Sequence, residues 1–318
     1  MSYHSKRRGI ISVMSTGNRD WIDILAVFLS FPLAFGCGDS SDSDPSTNVG
    51  GSGGTGGTST ATGGTSESGG NSGASSSAKS SGCGKSAPLS TTTQQTTNVS
   101  GTSRGYFLSP PKNYNSNTAY PLVFVFHGAG DSGKSMQGWS GLEASATGGA
   151  LFVYPDGING IWDLENNGPD AKMFDQLVTT LQEAWCIDKN AIFAEGFSYG
   201  GWAATQMAVA RPTVVRAIAS IEGGGPQGGK TTDPAVAAMI IHGKADTAEP
   251  IASGISSRNH FVATNGCGST TTAMTPSPCV TYTGCKAGKP VAWCEHPGPH
   301  EIPSFSAAGI WNFFMSVR

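Results

Sequence analysis

Charged residues are scarce in this sequence, and no block of basic residues stands out. Of its 318 residues, 13% are charged, and 19 Lys and Arg against 22 Asp and Glu give a formal net charge of −3. Nucleic-acid-binding domains carry clustered Lys and Arg, so we expect no nucleic-acid partner. A sparse charge load suits a protein that works outside the cytosol on a neutral or polymeric substrate.

The sequence also lacks the residue spacing of a metal site. Structural zinc sites use closely spaced cysteine or histidine pairs, whereas this chain has no Cys-x2-Cys pair and no histidine-rich partner set. We therefore expect no bound metal, and the chemistry predicted below requires no cofactor.

The main apolar run near the N-terminus is too short to cross a bilayer. It extends over 13 residues, from Ile24 to Gly36, whereas a spanning helix needs about 20. Basic residues at positions 6–8 precede it, which is typical of a secretion signal. The run ends at Cys37, as in bacterial lipoprotein signals, so we predict a signal at 1–37 and lipidation of Cys37. Plain cleavage and secretion is the alternative, and Met14 is an alternative start.

Residues 38–82 lack the apolar side chains that a folded core needs. They are almost entirely Gly, Ser, Thr, Ala and Asp, with Val49 the only sizeable apolar residue. Such a segment buries too little apolar surface to offset its ordering entropy, so we predict a flexible linker. The remaining 83–318 suits one buried core. We expect one monomeric, extracytoplasmic domain that meets a membrane only through the lipid anchor.

Seven cysteines favour export. With Cys37 lipidated, six remain, an even set that favours three disulfides in an oxidising compartment. They are Cys83, Cys186, Cys267, Cys279, Cys285 and Cys294. Six cysteines allow fifteen pairings, and sequence positions alone select none of them.

Apolar runs alternate with helical patterns through the globular part. Short continuous apolar runs predict buried strands at 122–126, 151–154, 191–194, 217–221, 239–241 and 291–293. Helical spacing predicts helices at 172–185 and 310–317, and a third that follows Gly200-Gly201 and stops before Pro212. Strands that alternate with helices form a mostly parallel α/β sheet covered on both faces. In such sheets, ligands bind beyond the carboxyl ends of the strands.

The pattern Gly-x-Ser-x-Gly occurs three times, and the three copies differ in context. The copy at 50–54 lies in the predicted linker, and the copy at 101–105 precedes a strand. Only the copy at 196–200 follows an apolar strand and opens a helix, which is the nucleophile elbow of α/β-hydrolases. We therefore predict an α/β-hydrolase fold with Ser198 as nucleophile, near a helix N-terminus that favours developing negative charge.

A serine nucleophile needs a base to take its proton and an acid to orient that base. In this fold the chain order is Ser, then Asp or Glu, then His. Asp246 directly follows a predicted strand and is the expected acid, with Glu249 as the fallback. Glu222 and Asp233 lie in Gly- and Pro-rich loops, without that placement.

Four histidines follow the nucleophile, and two of them share the loop after the last predicted strand. We expect His300 to be the base, because its spacing leaves room for the loop to fold back over Ser198; His296 is the alternative. His242 ends a strand, where a hydrogen-bonded structural role is expected. His260 lies in a predicted helix, where we expect a surface role.

Backbone amides are the expected oxyanion-hole donors. One is the N–H of Tyr199, and the other comes from the loop at 127–130, where His-Gly-Ala-Gly leaves the backbone accessible. Ala129 is the expected second donor, with Gly128 as the alternative. A glycine-rich turn without chemistry is the competing interpretation of this loop.

The region from Cys83 to Arg318 resembles the family that contains feruloyl esterases, acetyl xylan esterases and polyhydroxybutyrate depolymerases. Eight segments carry the resemblance, in order along the globular part. They are Gly82-Cys83-Gly84-Lys85, Tyr120-Pro121-Leu122-Val123-Phe124, Trp185-Cys186-Ile187-Asp188, His242-Gly243-Lys244-Ala245-Asp246, Asn265-Gly266-Cys267, Tyr282-Thr283-Gly284-Cys285, Gly298-Pro299-His300 and Ile310-Trp311-Asn312-Phe313-Phe314.

The resemblance implies a serine carboxylesterase acting on ester side groups of plant cell-wall polysaccharide. Feruloyl esterases of this kind often have Tyr after the serine, as at Tyr199, whereas the depolymerases tend to have a small residue. Feruloyl esters are thus the first expectation, with acetyl xylan or polyhydroxybutyrate as alternatives. A non-catalytic polysaccharide-binding lipoprotein is the alternative of another class. The candidates to stack on an acyl group or sugar, each equally suited to the core or the rim, are Trp139, Trp162 and Trp202.

The resemblance also implies a disulfide pairing. Members that lack counterparts of Cys279 and Cys294 retain those of Cys267 and Cys285. This implies Cys267–Cys285, and by remainder Cys279–Cys294 and Cys83–Cys186. Two departures from the family stand out: the segment Glu222-Gly223-Gly224-Gly225-Pro226 replaces a more varied one, and no carbohydrate-binding module accompanies the domain.

Overall fold

The computed structural model describes residues 78–318. The predicted signal, Cys37 and most of the predicted linker lie outside the described residues. The described chain packs on the domain slightly before the expected boundary at 83. Ser80 donates its backbone N–H to the Ile187 carbonyl (2.9 Å) and its hydroxyl to the Trp185 carbonyl (2.6 Å). No helix within 78–318 combines the length and the apolar character needed to cross a membrane.

Strands and helices alternate along the described chain, as the sequence predicts. The strands are β1 (Thr93–Val99), β2 (Thr102–Ser109), β3 (Tyr120–Phe126), β4 (Leu151–Pro155), β5 (Ile187–Phe197), β6 (Ala217–Ile221), β7 (Ala237–Gly243), β8 (Thr271–Ala273), β9 (Val280–Tyr282) and β10 (Val291–His296). The helices are α1 (Gly133–Trp139), α2 (Leu142–Ser145), α3 (Pro169–Ala184), α4 (Tyr199–Ala210), α5 (Ile251–Thr264) and α6 (Ser306–Ser316).

The strands form one sheet in the order β1-β2-β4-β3-β5-β6-β7-β10-β9-β8. The six central strands, from β4 to β10, are parallel to one another. The outer strands pair antiparallel on both sides. The predicted α/β-hydrolase fold, with its mostly parallel sheet, is therefore confirmed.

Helices cover both faces of the sheet, because alternate residues of each central strand point to opposite sides. In β3, Leu122 and Phe124 belong to one apolar cluster, and Val123 and Val125 belong to the other. The first cluster includes buried side chains of α3, α4 and α5, and the second includes those of α1, α2 and α6. The central strands are buried on both sides, which explains their continuous apolar runs.

Three disulfides cross-link the described part of the chain. The bonds are Cys83–Cys186, Cys267–Cys285 and Cys279–Cys294, the pairing that the resemblance implied. The first joins the start of the domain to the residue before β5. The other two anchor the short β8–β9 hairpin to its neighbours.

Candidate active site

The predicted site residues lie beyond the carboxyl ends of adjacent parallel strands. Ser198 follows β5, Asp246 lies three residues after β7, and His300 lies four residues after β10. The predicted oxyanion loop at 127–130 follows β3, the neighbour of β5. Parallel strands present their carboxyl ends at one edge, so the topology brings residues from distant parts of the chain together.

Ser198 occupies a strained turn between β5 and α4. Its φ and ψ are 56° and −123°, a conformation that non-glycine residues rarely adopt. Glycine is required on both sides. A Cβ on Gly196 would lie 2.1 Å from the carbonyl oxygen of Gly200, and a Cβ on Gly200 would lie 2.1 Å from that of Phe126. This is the geometry of a nucleophile elbow.

The copy of the serine pattern at 101–105 does not share this geometry. Ser103 lies in β2, which pairs antiparallel with β1. It is exposed, and its neighbour Arg104 is buried against Asp170. The copy at 50–54 lies outside the described residues.

His300 and Asp246 are joined by a short hydrogen bond. The distance from His300 Nδ1, which donates, to Asp246 Oδ2 is 2.6 Å. The other oxygen of Asp246 accepts the backbone N–H groups of Ala248 (2.9 Å) and Glu249 (2.8 Å). A neutral imidazole that donates from Nδ1 has its free lone pair on Nε2, which is the nitrogen that a general base uses.

The Asp246 carboxyl is ionised at neutral pH. Burial alone would raise its pKa, but the hydrogen bonds from His300, the Glu249 amide and Glu222 outweigh burial and hold the pKa below its usual value. The predicted fallback, Glu249, takes part through its backbone, since its amide binds Asp246 and its carbonyl accepts from His242.

The ring of Phe197, the residue before Ser198, lies against the ring of His300. The ring centroid of Phe197 is 4.9 Å from that of His300. A Cβ on Gly128 would lie 3.5 Å from both Phe197 Cδ1 and Ser198 Cβ, so the oxyanion loop lies against the nucleophile. Within residues 78–318, Ser198 Oγ and His300 share no hydrogen bond; such bonds are often long before substrate binds. Phe197 was not singled out in the sequence.

The amides predicted to bind an oxyanion are free in the described part of the chain. The N–H groups of Tyr199, Ala129 and Gly128 donate to no backbone or side-chain acceptor among residues 78–318. Tyr199 is also the first residue of α4, where N–H groups have no partner within the helix. Both expected donors and the alternative are thus available for a ligand.

The oxyanion loop is held from behind by a buried histidine. His127 donates from Nδ1 to the Gly128 carbonyl (2.7 Å) and accepts the Gly157 N–H at Nε2 (3.0 Å). Burial lowers the pKa of His127, opposed by the Gly128 hydrogen bond and nearby carboxylates, so the ring is neutral. Its carbonyl accepts the indole N–H of Trp162 (2.8 Å). These bonds fix the loop before any substrate arrives.

The three candidate tryptophans differ in exposure. Trp162 is only 3% exposed and packs edge-on against Phe126, with 5.1 Å between ring centroids. The prediction that it stacks on a substrate is therefore wrong, because it supports the oxyanion loop from the core. Trp139 is 58% exposed, and Trp202 is half-buried against Gly224.

Glu222, set aside in the sequence, lies at the centre of the site. It is the first residue after β6 and is completely buried. Its Oε1 accepts from His296 Nε2 (2.6 Å), and its Oε2 accepts the Gly243 N–H (2.9 Å). Burial raises the pKa of Glu222 to about 9, with a further contribution from Asp246. The available signal was its position directly after a buried strand, at the same edge as the nucleophile.

His296, the alternative base, is already occupied. Its Nδ1 accepts the Gly298 N–H (3.1 Å), so Nε2 carries the hydrogen and donates to Glu222. Neither nitrogen is left to accept a proton from Ser198. His242 donates from Nε2 to the Glu249 carbonyl (2.8 Å), as its predicted structural role requires.

Glu222, His242 and Asp246 each place a potential ligand atom within 4.8 Å of the others. Those side chains already form hydrogen bonds to the backbone and to His300. These bonds use the atoms that a cation would need, so we assign no metal to the trio.

The known proteins that this chain resembles include a carboxylesterase family and several named esterases. The Phospholipase/Carboxylesterase family model matches residues 163–282. Feruloyl esterase D of Neurospora crassa is 36% identical over 260 residues, which cover 74% of this chain and 89% of that protein. Feruloyl esterase C of Emericella nidulans is 33% identical over 256 residues, covering 74% and 91%. The acetyl xylan esterase from Aspergillus awamori shares the fold, with a TM-score of 0.58 at 16% identity over 70% of this chain and 99% of that one.

Proposed function

Because the chain belongs to the feruloyl esterase family of α/β-hydrolases, we propose that it removes feruloyl and related hydroxycinnamoyl ester groups from plant cell-wall polysaccharide. The chain is a hydrolase of the carboxylesterase class. The observation that carries the proposal is the 2.6 Å hydrogen bond between His300 and Asp246, at the sheet edge where Ser198 occupies its strained turn.

The first step is attack by the serine. His300 Nε2 takes the proton of Ser198 Oγ while Oγ bonds to the ester carbonyl carbon. Asp246 stays ionised and holds the imidazole in the tautomer that can accept this proton.

The negative charge that develops on the carbonyl oxygen is the main cost of this step. The free amides of Tyr199 and Ala129 supply hydrogen bonds to it, and the N-terminus of α4 adds a favourable dipole. Loss of one such donor typically reduces the rate by about 10²–10³. The buried supports His127 and Trp162 keep the loop in place, so little reorganisation is needed during the reaction.

The second half releases both products. The bond between the carbonyl carbon and the sugar oxygen breaks, and His300 gives its proton to that oxygen. Water then attacks the acyl carbon while His300 takes one of its protons, and His300 returns that proton to Ser198 Oγ as the bond from the carbon to Oγ breaks, which releases the carboxylic acid and the free serine. Trp139 and Trp202 are the remaining candidates to stack on the acyl group or sugar.

The protein is proposed to act outside the cytosol. Three disulfides in one domain are typical of oxidising compartments. The basic segment and apolar run before Cys37 further support a lipoprotein signal. In a bacterial host, Cys37→Ser should move the protein from the membrane fraction to the soluble fraction; unchanged fractionation would contradict the lipid anchor.

The function is tested with a panel of three substrates: methyl ferulate, acetylated xylan and polyhydroxybutyrate. We expect kcat/KM to be highest on methyl ferulate. Ser198→Ala should abolish hydrolysis of all active substrates and of a short p-nitrophenyl ester.

Ser103→Ala is the matched control, since Ser103 has the same local sequence pattern without the elbow geometry. It should retain wild-type rates. Hydrolysis that persists in Ser198→Ala would rule out the assigned nucleophile, and a preference for acetylated xylan or polyhydroxybutyrate would replace the feruloyl assignment.

A further inference from the structure

A second carboxyl group lies beside the one that orients His300. One carboxyl oxygen of Glu222 lies within 4.8 Å of one carboxyl oxygen of Asp246. Glu222 Oε2 and Asp246 Oδ2 are each 3.6 Å from His242 Nε2. Both carboxyl groups are shielded from solvent, and Glu222 has a left-handed φ of 49° that turns it into the site.

Among the described residues, no Lys or Arg side chain balances the charge of this pair. Within residues 78–318, neither carboxylate forms a salt bridge with Lys or Arg. Burial lowers the pKa of His296, and its hydrogen bonds define a neutral ring. The charged and titratable groups that face Glu222 are His242 from β7, Asp246 from the loop after β7, His296 from β10, and Glu301 beside His300.

Two adjacent buried carboxyl groups without a Lys or Arg partner favour a single shared proton. Asp246 is the anion, because it accepts hydrogen bonds from His300, Ala248 and Glu249. Glu222 therefore holds the shared proton. Burial raises the pKa of Glu222 to about 9, which agrees with this assignment.

We propose that Glu222 is a positioning residue: its protonated carboxyl donates a hydrogen bond to Asp246, while His296 and Gly243 hold it in place. This bond fixes the orientation and charge of the carboxylate that holds His300. The inference rests on the proposed esterase mechanism, in which Glu222 acts only through Asp246.

The proposed hydrogen bond from Glu222 to Asp246 predicts how kcat/KM depends on pH. When Glu222 loses its proton, at about pH 9, Asp246 loses a donor and gains a negative neighbour. The carboxylate is then free to turn away from His300, so kcat/KM of the wild type should decline above this pH. KM for a short ester should change little, because Glu222 does not contact substrate.

Two variants test this. Glu222→Gln keeps the shape and a neutral donor, so we expect kcat within about fivefold of wild type and no decline near pH 9. Glu222→Asn tolerates the left-handed backbone but is too short to reach Asp246. We expect its kcat to fall about 10-fold to 100-fold, with KM for p-nitrophenyl acetate within about threefold. Thermal unfolding of both variants checks the fold.

Glu195→Gln is the matched control, since Glu195 is a second buried acid outside the site. Its pH–rate profile should match that of the wild type. A direct readout does not depend on activity: the infrared difference spectrum between wild type and Glu222→Gln at pH 7 should contain a protonated carboxyl band. Absence of that band, or an unchanged alkaline decline in Glu222→Gln, would overturn the proposal. If the wild type shows no esterase activity although the protonated carboxyl band is present, the proposed function is overturned and the assignment of the proton to Glu222 stands.

Discussion

Burial keeps two glutamates neutral inside this protein, in surroundings that differ. Glu222 has partners on both oxygens, whereas neither oxygen of Glu195 has a hydrogen-bond partner among residues 78–318. Glu195 lies in β5, three residues before the nucleophile, and burial raises its pKa to about 8. A buried carboxyl with no partner is costly when charged and far less so when protonated.

Glu195 makes the stability of the protein depend on pH. The pKa of Glu195 is raised from 4.5 to about 8 on folding, so between these values the native state keeps a proton that the unfolded chain loses. The free energy of unfolding should therefore fall as the pH rises through this window, by up to about 1.4 kcal/mol per pH unit for each such group. Glu195→Gln should flatten this slope, measured by urea unfolding at pH 5.5, 7 and 8.

Glu222 adds a second contribution of the same sign, which Glu195→Gln leaves in place. The variant should thus retain a shallower slope rather than none. Parallel wild-type and variant curves over this range would show that Glu195 titrates normally in the native state.

The sequence predicted catalytic residues where the signal was local in the chain. The placement of Ser198 depends on a strand, two glycines and a helix that are adjacent in the chain. Glu222 was set aside because nothing near it in sequence reveals its partners, His296 and Gly243, which lie on other strands. Trp162 was misjudged for a related reason, since hydrophobicity does not distinguish a tryptophan beneath a loop from one facing a substrate.

At the scale of elements, the turn from β5 into α4 leaves no space for a side chain at Gly200. A Cβ on Gly200 would lie 2.1 Å from the Phe126 carbonyl oxygen and 2.7 Å from that of His127. Gly200→Ala must therefore push α4 away from β3. We expect a loss of more than about 3 kcal/mol in the free energy of unfolding, or no soluble protein.

The control is a helical glycine with open space around it. Gly138 lies in α1 and is exposed, and a Cβ there would meet nothing within 4 Å. Gly138→Ala should stabilise the protein by about 0.5–1 kcal/mol, measured in the same urea titration. Equal effects of the two substitutions would contradict the close packing of α4 on β3.

Long apolar elements were predictable, and short polar ones were not. The central strands were recognised because burial on both faces requires continuous apolar runs, although their ends extend further than predicted. The hairpin of β8 and β9 has three-residue strands, and β8 is exposed along its length. Its sequence carries no apolar pattern, so only the pairing with β10 and the disulfides define it.

At the scale of the whole molecule, the disulfides constrain very different lengths of chain. Cys83–Cys186 spans 103 residues, and Cys267–Cys285 spans 18. In the chain-entropy model, closing a loop of 100 residues stabilises a protein by about 4.7 kcal/mol and one of 15 residues by about 3 kcal/mol. Replacing both cysteines of a bond with Ala should thus cost more at Cys83–Cys186, measured as the urea midpoint of each double variant.

Reducing conditions provide the control for these two double variants. Under reducing conditions the two double variants and the wild type should converge in stability, because all three then lack the cross-links. A larger loss for Cys267–Cys285 would mean that native packing around the hairpin, rather than loop length, sets the contribution.

The first described residues join the sheet at the amino-terminal end of β5, opposite the end of that strand that Ser198 follows. Lys79 bridges to Asp188 at the start of β5, and Ser198 follows the other end of the same strand. The paired strand β3 covers the span from Ile187 to Gly196 in six residue steps, from Tyr120 to Phe126, so at about 3.3 Å per residue these two points lie about 20 Å apart. A bead, tag or neighbouring domain attached upstream of Lys79 would therefore be joined to the domain at the amino-terminal end of β5, opposite the end that Ser198 follows.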